Sequence, residues 1–133
     1  MRPLTVSPDG TTVATIERGT APGTSRLRVV SLATGTTRDL LEADLGTLVS
    51  WLPDSRTVLV FGTLPGTPPN ATRSVLAVSV AGGAPKKWNL GMPVAMPPVV
   101  VVHPDGRQVA FMTGEQRNEI WALENFLPAA VKK

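Results

Sequence analysis

Short apolar segments and polar turns alternate along this chain, and one version of the pattern occurs three times. An apolar segment leads to Pro-Asp-Gly or Pro-Asp-Ser, and a second apolar segment follows at once. The three turns are Pro8-Asp9-Gly10, Pro53-Asp54-Ser55 and Pro104-Asp105-Gly106. Proline presets φ for the second position of a tight turn, while Asp and Gly favour the later positions. Each copy therefore predicts a β-hairpin.

The first two copies each predict four antiparallel strands joined by turns. In the first copy the strands are expected at residues 4–6, 13–16, 27–32 and 37–41. In the second copy they are expected at residues 47–52, 58–61, 75–80 and 87–90. β-branched residues are frequent, Gly and Pro separate the segments, and no window keeps a helical period for three turns. The pattern predicts an all-β chain.

The third copy is shorter than the others. Residues 99–103 and 109–112 predict its first two strands, residues 119–123 predict a third, and no fourth strand is expected. Many strand segments in all three copies are apolar at consecutive positions. Such segments are typical of sheets that are covered by a neighbour on both faces.

The spacing of the turns indicates a repeat architecture. Pro8, Pro53 and Pro104 lie 45 and 51 residues apart, and a period of about 40–50 residues in a strand-rich chain is typical of β-propeller blades. We therefore predict a single partial β-propeller domain with four-stranded antiparallel blades, forming an open arc or part of a ring. Its expected parts are blade 1 at residues 1–44, blade 2 at 45–95, an incomplete blade 3 at 96–125 and a tail at 126–133.

The repeated segments also resemble a known family. Ser7-Pro8-Asp9-Gly10 followed by a strand, and the later Ile120-Trp121 strand followed by a charged turn, resemble the WD-like repeats of TolB-type bacterial β-propellers. Similar propellers in large bacterial proteins follow a kinase or a winged-helix domain and are regarded as sensors or scaffolds. The resemblance implies a non-catalytic module that binds a protein or a small ligand, in a periplasmic or extracytoplasmic parent protein.

The residues that catalysis would require are scarce. The chain has no cysteine and one histidine, His103, which leaves no partner for a zinc site or a catalytic triad. Asp9, Asp54 and Asp105 occupy the same turn position in each copy, where an Asp side chain bonds nearby backbone N–H groups. We interpret all four as structural residues. No catalytic residue, metal or cofactor is predicted.

The net charge and the placement of the loops restrict the kinds of partner that we expect. The net charge is +3 with scattered basic residues, which argues against nucleic-acid binding, and the longest aliphatic run is far shorter than the ~20 residues of a membrane span. In a blade, the loop between strands two and three shares a rim with the connection between blades, where loops commonly carry function. The candidate binding residues on this rim are Arg18, Thr20, Asn70, Arg73, Glu115, Gln116 and Asn118.

Two further interpretations stay open. The chain is also compatible with the gating propeller of a prolyl-oligopeptidase-like serine peptidase, whose catalytic domain lies elsewhere in the parent chain. An incomplete arc leaves blade faces and a strand edge exposed, and such surfaces recruit other chains. We therefore expect either a head-to-tail homodimer or contact with the remainder of a parent propeller.

Overall fold

The computed structural model describes residues 3–68, 71–88 and 100–111, which form three antiparallel sheets and contain no helix. The first sheet contains β1 (Leu4–Val6), β2 (Thr12–Arg18), β3 (Ser25–Ser31) and β4 (Thr37–Ala43). The second sheet contains β5 (Leu45–Trp51), β6 (Thr57–Gly62), β7 (Ser74–Ser79) and β8 (Lys86–Lys87). The third sheet contains β9 (Val100–Val102) and β10 (Val109–Phe111). The all-β prediction is confirmed.

Each four-stranded sheet is a meander in which every strand pairs with the next one along the chain. Successive strands are antiparallel, as the hairpin pattern predicts. The sheets form an open arrangement and do not close into a ring within the described ranges. The strand expected at residues 119–123 lies outside the described residues. So do residues 89–90 of the segment expected to end the second sheet. Within residues 3–68, 71–88 and 100–111 there is no helix long and apolar enough to cross a membrane.

The first and second sheets pack face to face through one apolar cluster. Trp51 of β5 also connects the two sheets by a hydrogen bond. Its indole Nε1 donates to the carbonyl oxygen of Thr5 in β1 at 3.2 Å. Burying the ring while pairing its N–H is the favourable arrangement for tryptophan. The buried members of the cluster are Ala14, Ile16, Leu27, Val29, Leu41, Ala43, Leu45, Trp51, Val58, Val60, Leu76 and Val78.

β6 is buried on both faces because its side chains alternate between two apolar clusters. Val58 and Val60 pack toward the first sheet. Leu59 and Phe61 pack with Val100 of the third sheet in a second cluster. This double burial explains why the sequence of β6 is apolar at four consecutive positions.

The face of the first sheet that points away from the second sheet has a charged part and an exposed apolar part. Arg28 lies at its centre, with Nε 2.6 Å from Asp39 Oδ1 and Nη1 3.2 Å from Glu17 Oε2. Hydrogen bonds from Arg28 lower the pKa of Asp39. Leu4 and Val6 on β1 belong to the same face by strand register, and Leu4 is 65% exposed. The part of this face formed by β2, β3 and β4 therefore carries charged side chains around Arg28. The sequence predicts apolar blade faces at the ends of the arc instead.

Each of the three Pro-Asp turns contains the same type of internal hydrogen bond. Oδ1 of Asp9, Asp54 and Asp105 accepts a bond from the backbone N–H two residues later, at 3.0, 2.8 and 2.8 Å. This geometry confirms that the aspartates serve the turns. Gly10 and Gly106 adopt left-handed conformations, with φ of 74° and 70°.

Ser55 takes the place of the glycine in the second turn and keeps the left-handed backbone, with φ of 53°. For a residue with a side chain this conformation costs about 1–2 kcal/mol. The Ser55 hydroxyl oxygen accepts a hydrogen bond of 3.1 Å from the N–H of Asp9. The serine thus links the turns of the first and second sheets, which offsets part of that cost.

Gly10→Val is expected to lower the free energy of unfolding by about 1 kcal/mol or more, because a β-branched residue resists positive φ. A Cβ at Gly10 would meet no atom within 4 Å, so the loss is conformational and not steric. Denaturant unfolding measures it. Gly106→Val should lose a similar amount, and an unchanged midpoint for both variants would contradict this turn geometry.

Candidate binding cleft

The loops predicted to share a rim do meet there. Thr20, in the loop after β2, donates its N–H to Glu42 Oε1 at 2.6 Å. Arg73, in the loop before β7, places Nη2 2.7 Å from Asp44 Oδ1. Glu42 lies near the end of β4 and Asp44 connects β4 to β5, so two loops and the passage between the sheets come together at one place.

The other predicted site residues are not all brought into this arrangement. Arg18 is exposed at the end of β2, next to the same loop as Thr20. The remaining four, Asn70, Glu115, Gln116 and Asn118, lie outside the described residues. A binding role for any of the seven stays a prediction.

Two turns with the same local sequence stand on this rim. In Ala21-Pro22-Gly23-Thr24, the N–H and hydroxyl of Thr24 donate to the carbonyl of Ala21 at 3.2 and 2.8 Å. In Leu64-Pro65-Gly66-Thr67, Thr67 donates in the same way to Leu64 at 3.3 and 2.7 Å. Both glycines have positive φ, 77° and 78°, the pattern of a type II turn. The Pro-Gly-Thr triplet at residues 22–24 and 65–67 is the sequence signal for this pair.

A cleft of about 470 Å³ lies between the two Pro-Gly-Thr turns. Its volume falls within the range of ligand sites, about 300–1,000 Å³. The end of β4 and the residue that follows it contribute the carboxylates, and the turns contribute proline rings. Its lining includes Pro22, Glu42, Asp44, Thr63, Leu64 and Pro65.

Glu42 holds the β2–β3 loop in place with a single carboxylate oxygen. Oε1 accepts bonds from the N–H groups of Thr20 and Ala21 at 2.6 and 3.0 Å. It also accepts from the hydroxyls of Thr20 and Thr24 at 2.7 and 2.9 Å. These hydrogen bonds, foremost the one from the Ala21 N–H, lower the pKa of Glu42 from 4.5 to about 2. The group is therefore ionised at neutral pH.

The hydrogen bonds to Glu42 predict a pH dependence. Because its pKa is lower in the folded than in the unfolded state, its contribution is complete above about pH 4.5 and is lost as the pH falls toward about 2. Glu42→Gln offers only a neutral acceptor. It should lower the thermal midpoint at neutral pH and bring the midpoints of variant and wild type together in acid. A gap that stays constant across this window would contradict the prediction.

Thr63 provides a polar group at the edge of the cleft. The residue is 7% exposed, and its N–H donates to the carbonyl of Asp44 at 3.1 Å. Its hydroxyl makes no hydrogen bond to another described residue. Within the described part of the chain, every fully buried side-chain polar atom has a hydrogen-bond partner. The hydroxyl is therefore not fully buried, and Thr63 is among the residues that line the cleft.

His103 lies in the β9–β10 turn, at the rim that carries the Pro-Asp turns. Its Nδ1 is 3.0 Å from Asp105 Oδ1. Ser7 holds the matching position in the first copy, where its hydroxyl donates to Asp9 Oδ1 at 2.6 Å. Both residues thus contact the turn aspartate, which agrees with a structural role for His103. The described residues contain no cluster of three His, Cys, Asp or Glu side chains that could hold a metal ion.

Comparison with known proteins supports the architecture. No protein-family model and no curated protein matches the chain. It is similar to the β-propeller domain of the Trilobed protease from Pyrococcus furiosus, described as having an open velcro topology. The TM-score is 0.53 at 19% identity, covering 77% of this chain and 31% of that one. It is also similar to the Pyrococcus horikoshii acylaminoacyl peptidase, with a TM-score of 0.53 at 15% identity, covering 86% and 20%.

These similarities confirm the β-propeller fold. The chain spans less than a third of the length of either of these structures. The more specific resemblance to TolB-type propellers has no support from a family model and stays a prediction.

Proposed function

We propose that this chain is a non-catalytic β-propeller module that binds a partner in the cleft between the two Pro-Gly-Thr turns, within a larger bacterial sensor or scaffold protein. The observation that carries the proposal is the cleft itself. Its walls are two matched turns, and each turn is fixed by hydrogen bonds within its own four residues. A site that is ordered before binding loses little conformational entropy when a ligand arrives.

The side chains around the cleft support binding better than catalysis. Oε1 of Glu42 is occupied by four donors, and both oxygens of Asp44 contact Arg73 at 2.7 and 3.1 Å. A general base needs a pKa near the working pH, which the lowered pKa of Glu42 does not provide, and a nucleophile needs such a base beside it. The arrangement fits groups that position a ligand.

Selection from a peptide display library against the purified chain tests the proposal. Selected ligands should shift the amide NMR signals of Thr24, Thr63 and Thr67. Pro65→Arg, which places a long charged side chain at the cleft, should abolish their binding. Pro8→Arg makes the same change at an exposed proline of the opposite rim and should leave binding intact.

Two results would overturn the proposal. One is a set of ligands that bind equally well to both arginine variants, since the cleft would then be irrelevant. The other is saturable hydrolysis of an ester or peptide by the purified chain that disappears when a single residue is changed.

A second candidate function is the gating propeller of a prolyl-oligopeptidase-like serine peptidase. It is favoured by the two structural neighbours, which are a protease propeller domain and an acylaminoacyl peptidase. The coding sequence that surrounds this chain separates the candidates. An α/β-hydrolase domain downstream supports the peptidase, and a kinase or winged-helix domain upstream supports the sensor or scaffold.

A further inference from the structure

We infer that the partner segment in the cleft is an extended peptide that carries a lysine or arginine side chain. This inference rests on the proposed function, because it concerns the same cleft. Three independent features of the lining support it: the sign of the charge, an unpaired hydroxyl and the apolar walls.

The charged side chains that line the cleft are both carboxylates, Glu42 and Asp44. Glu42 uses Oε1 for the loop, while Oε2 has only a 3.6 Å contact with Arg26 Nε and retains accepting capacity. Asp44 pairs with Arg73 in the open, where the two side chains are 40% and 42% exposed. Exposed pairs of this kind are worth about 0–1 kcal/mol. An incoming ammonium or guanidinium group can therefore share these carboxylates.

The hydroxyl of Thr63 adds a polar group to the lining of the cleft. Thr63 is more than nine-tenths buried and lines the cleft, and its hydroxyl has no hydrogen-bond partner among the described residues. A hydroxyl can both donate and accept. The amide groups of a peptide backbone supply the matching acceptor or donor, and a ligand that lacks them leaves the hydroxyl unpaired.

The walls and the extent of the site favour a peptide over a small cation. Pro22, Pro65 and Leu64 present apolar surface beside the carboxylates, which suits the aliphatic stem of a long basic side chain. A second hollow of about 420 Å³ shares Glu42 with the cleft and is also lined by Asp39 and Leu40 of β4 and by Arg26. An extended chain can occupy both hollows, whereas a single amine fills only part of one.

Fluorescence anisotropy with matched peptides tests the inference. The probe is a capped, fluorescein-labelled peptide of alternating alanine and lysine, and its control has glutamine in place of each lysine. We expect the lysine peptide to bind about threefold to fivefold more tightly, the range that a solvent-exposed ion pair supports. Added salt should reduce the difference because the site is open to solvent. A free alkylamine should bind more weakly than the peptide.

Variants locate the binding. Thr63→Val removes the hydroxyl and nearly preserves shape, and Asp44→Asn removes one carboxylate; each should weaken the lysine peptide severalfold. Their controls are Thr36→Val and Asp105→Asn, which make the same changes at exposed positions of the opposite rim and should leave affinity unchanged. Unfolding midpoints confirm that each variant is folded. If Asp44→Asn unfolds the chain, Glu42→Gln replaces it as the charge variant.

The possible outcomes are distinct. Failure of the lysine peptide to bind, equal binding of the glutamine peptide, equal binding of the alkylamine, or unchanged affinity in both cleft variants overturns the inference. Selected peptides that lack basic residues but shift the cleft amides overturn it while the proposed function stands. Ligands that bind only away from the cleft overturn both. Preferential binding of the lysine peptide that both cleft variants weaken supports it.

Discussion

Leu76→Ala is expected to lower the free energy of unfolding by about 2–5 kcal/mol. Leu76 lies on β7 and is 0% exposed, within the cluster that joins the first and second sheets. The substitution removes apolar contacts and leaves a cavity between two hydrogen-bonded sheets. Because each sheet is held by its own ladder, neither can collapse far into the cavity. Urea unfolding followed by tryptophan fluorescence measures the loss, since Trp51 belongs to the same cluster.

Leu32→Ala is the matched control for that experiment. Leu32 directly follows β3 and is 55% exposed, so the same truncation removes little buried surface. We expect a change within about 0.5 kcal/mol. Equal losses for the two variants would mean that the first and second sheets do not pack as described.

Gly62→Ala is expected to cost about 1–3 kcal/mol or more, through steric conflict with the backbone. A Cβ at Gly62 would lie 2.5 Å from the carbonyl oxygen of Asp44 and 3.2 Å from Cα of Leu45. Backbone atoms of the β4–β5 connection cannot rotate away as the end of a side chain can. The variant should therefore also displace Asp44 and weaken the binding of any ligand in the cleft.

Gly46→Ala, on the adjacent strand β5, is the control for Gly62→Ala. The nearest atom to its added Cβ would be Phe61 Cδ1 at 3.3 Å, at the edge of a ring that can shift slightly. Its loss in thermal denaturation should be clearly smaller. If Gly46→Ala is the more harmful of the two, the close approach of Gly62 to Asp44 is wrong.

The hairpins could be predicted from sequence because their causes are local. Pro, Asp and Gly at fixed offsets specify the turn, and the apolar runs on either side specify the strands. The ends of the strands could be predicted less well from the sequence. β4 continues to Ala43, two residues beyond the predicted end, because Ala43 pairs with Ser25 and packs in the core. That continuation depends on a partner strand and not on local composition.

Only part of the cleft could be predicted from the sequence, for the same reason. Blade topology alone places Thr20 and Arg73 on one rim. The sequence pattern does not single out Glu42 and Asp44, the carboxylates that they contact. Their role follows from hydrogen bonds between residues about 20–30 positions apart, and no short motif encodes such pairs.

The double burial of β6 has a consequence for how the protein opens. The amide protons of β6 are bonded within the second sheet and covered on one face by the first sheet and on the other by the third. Native-state hydrogen exchange at such positions requires global unfolding. β1, an edge strand of three residues with exposed Leu4 and Val6, contributes no side chain to either apolar cluster, so its fraying breaks only its own ladder and the bond from Trp51 to Thr5. Exchange is therefore graded from the edge of the first sheet to the middle of the second, and β6 is the last strand to release its protons.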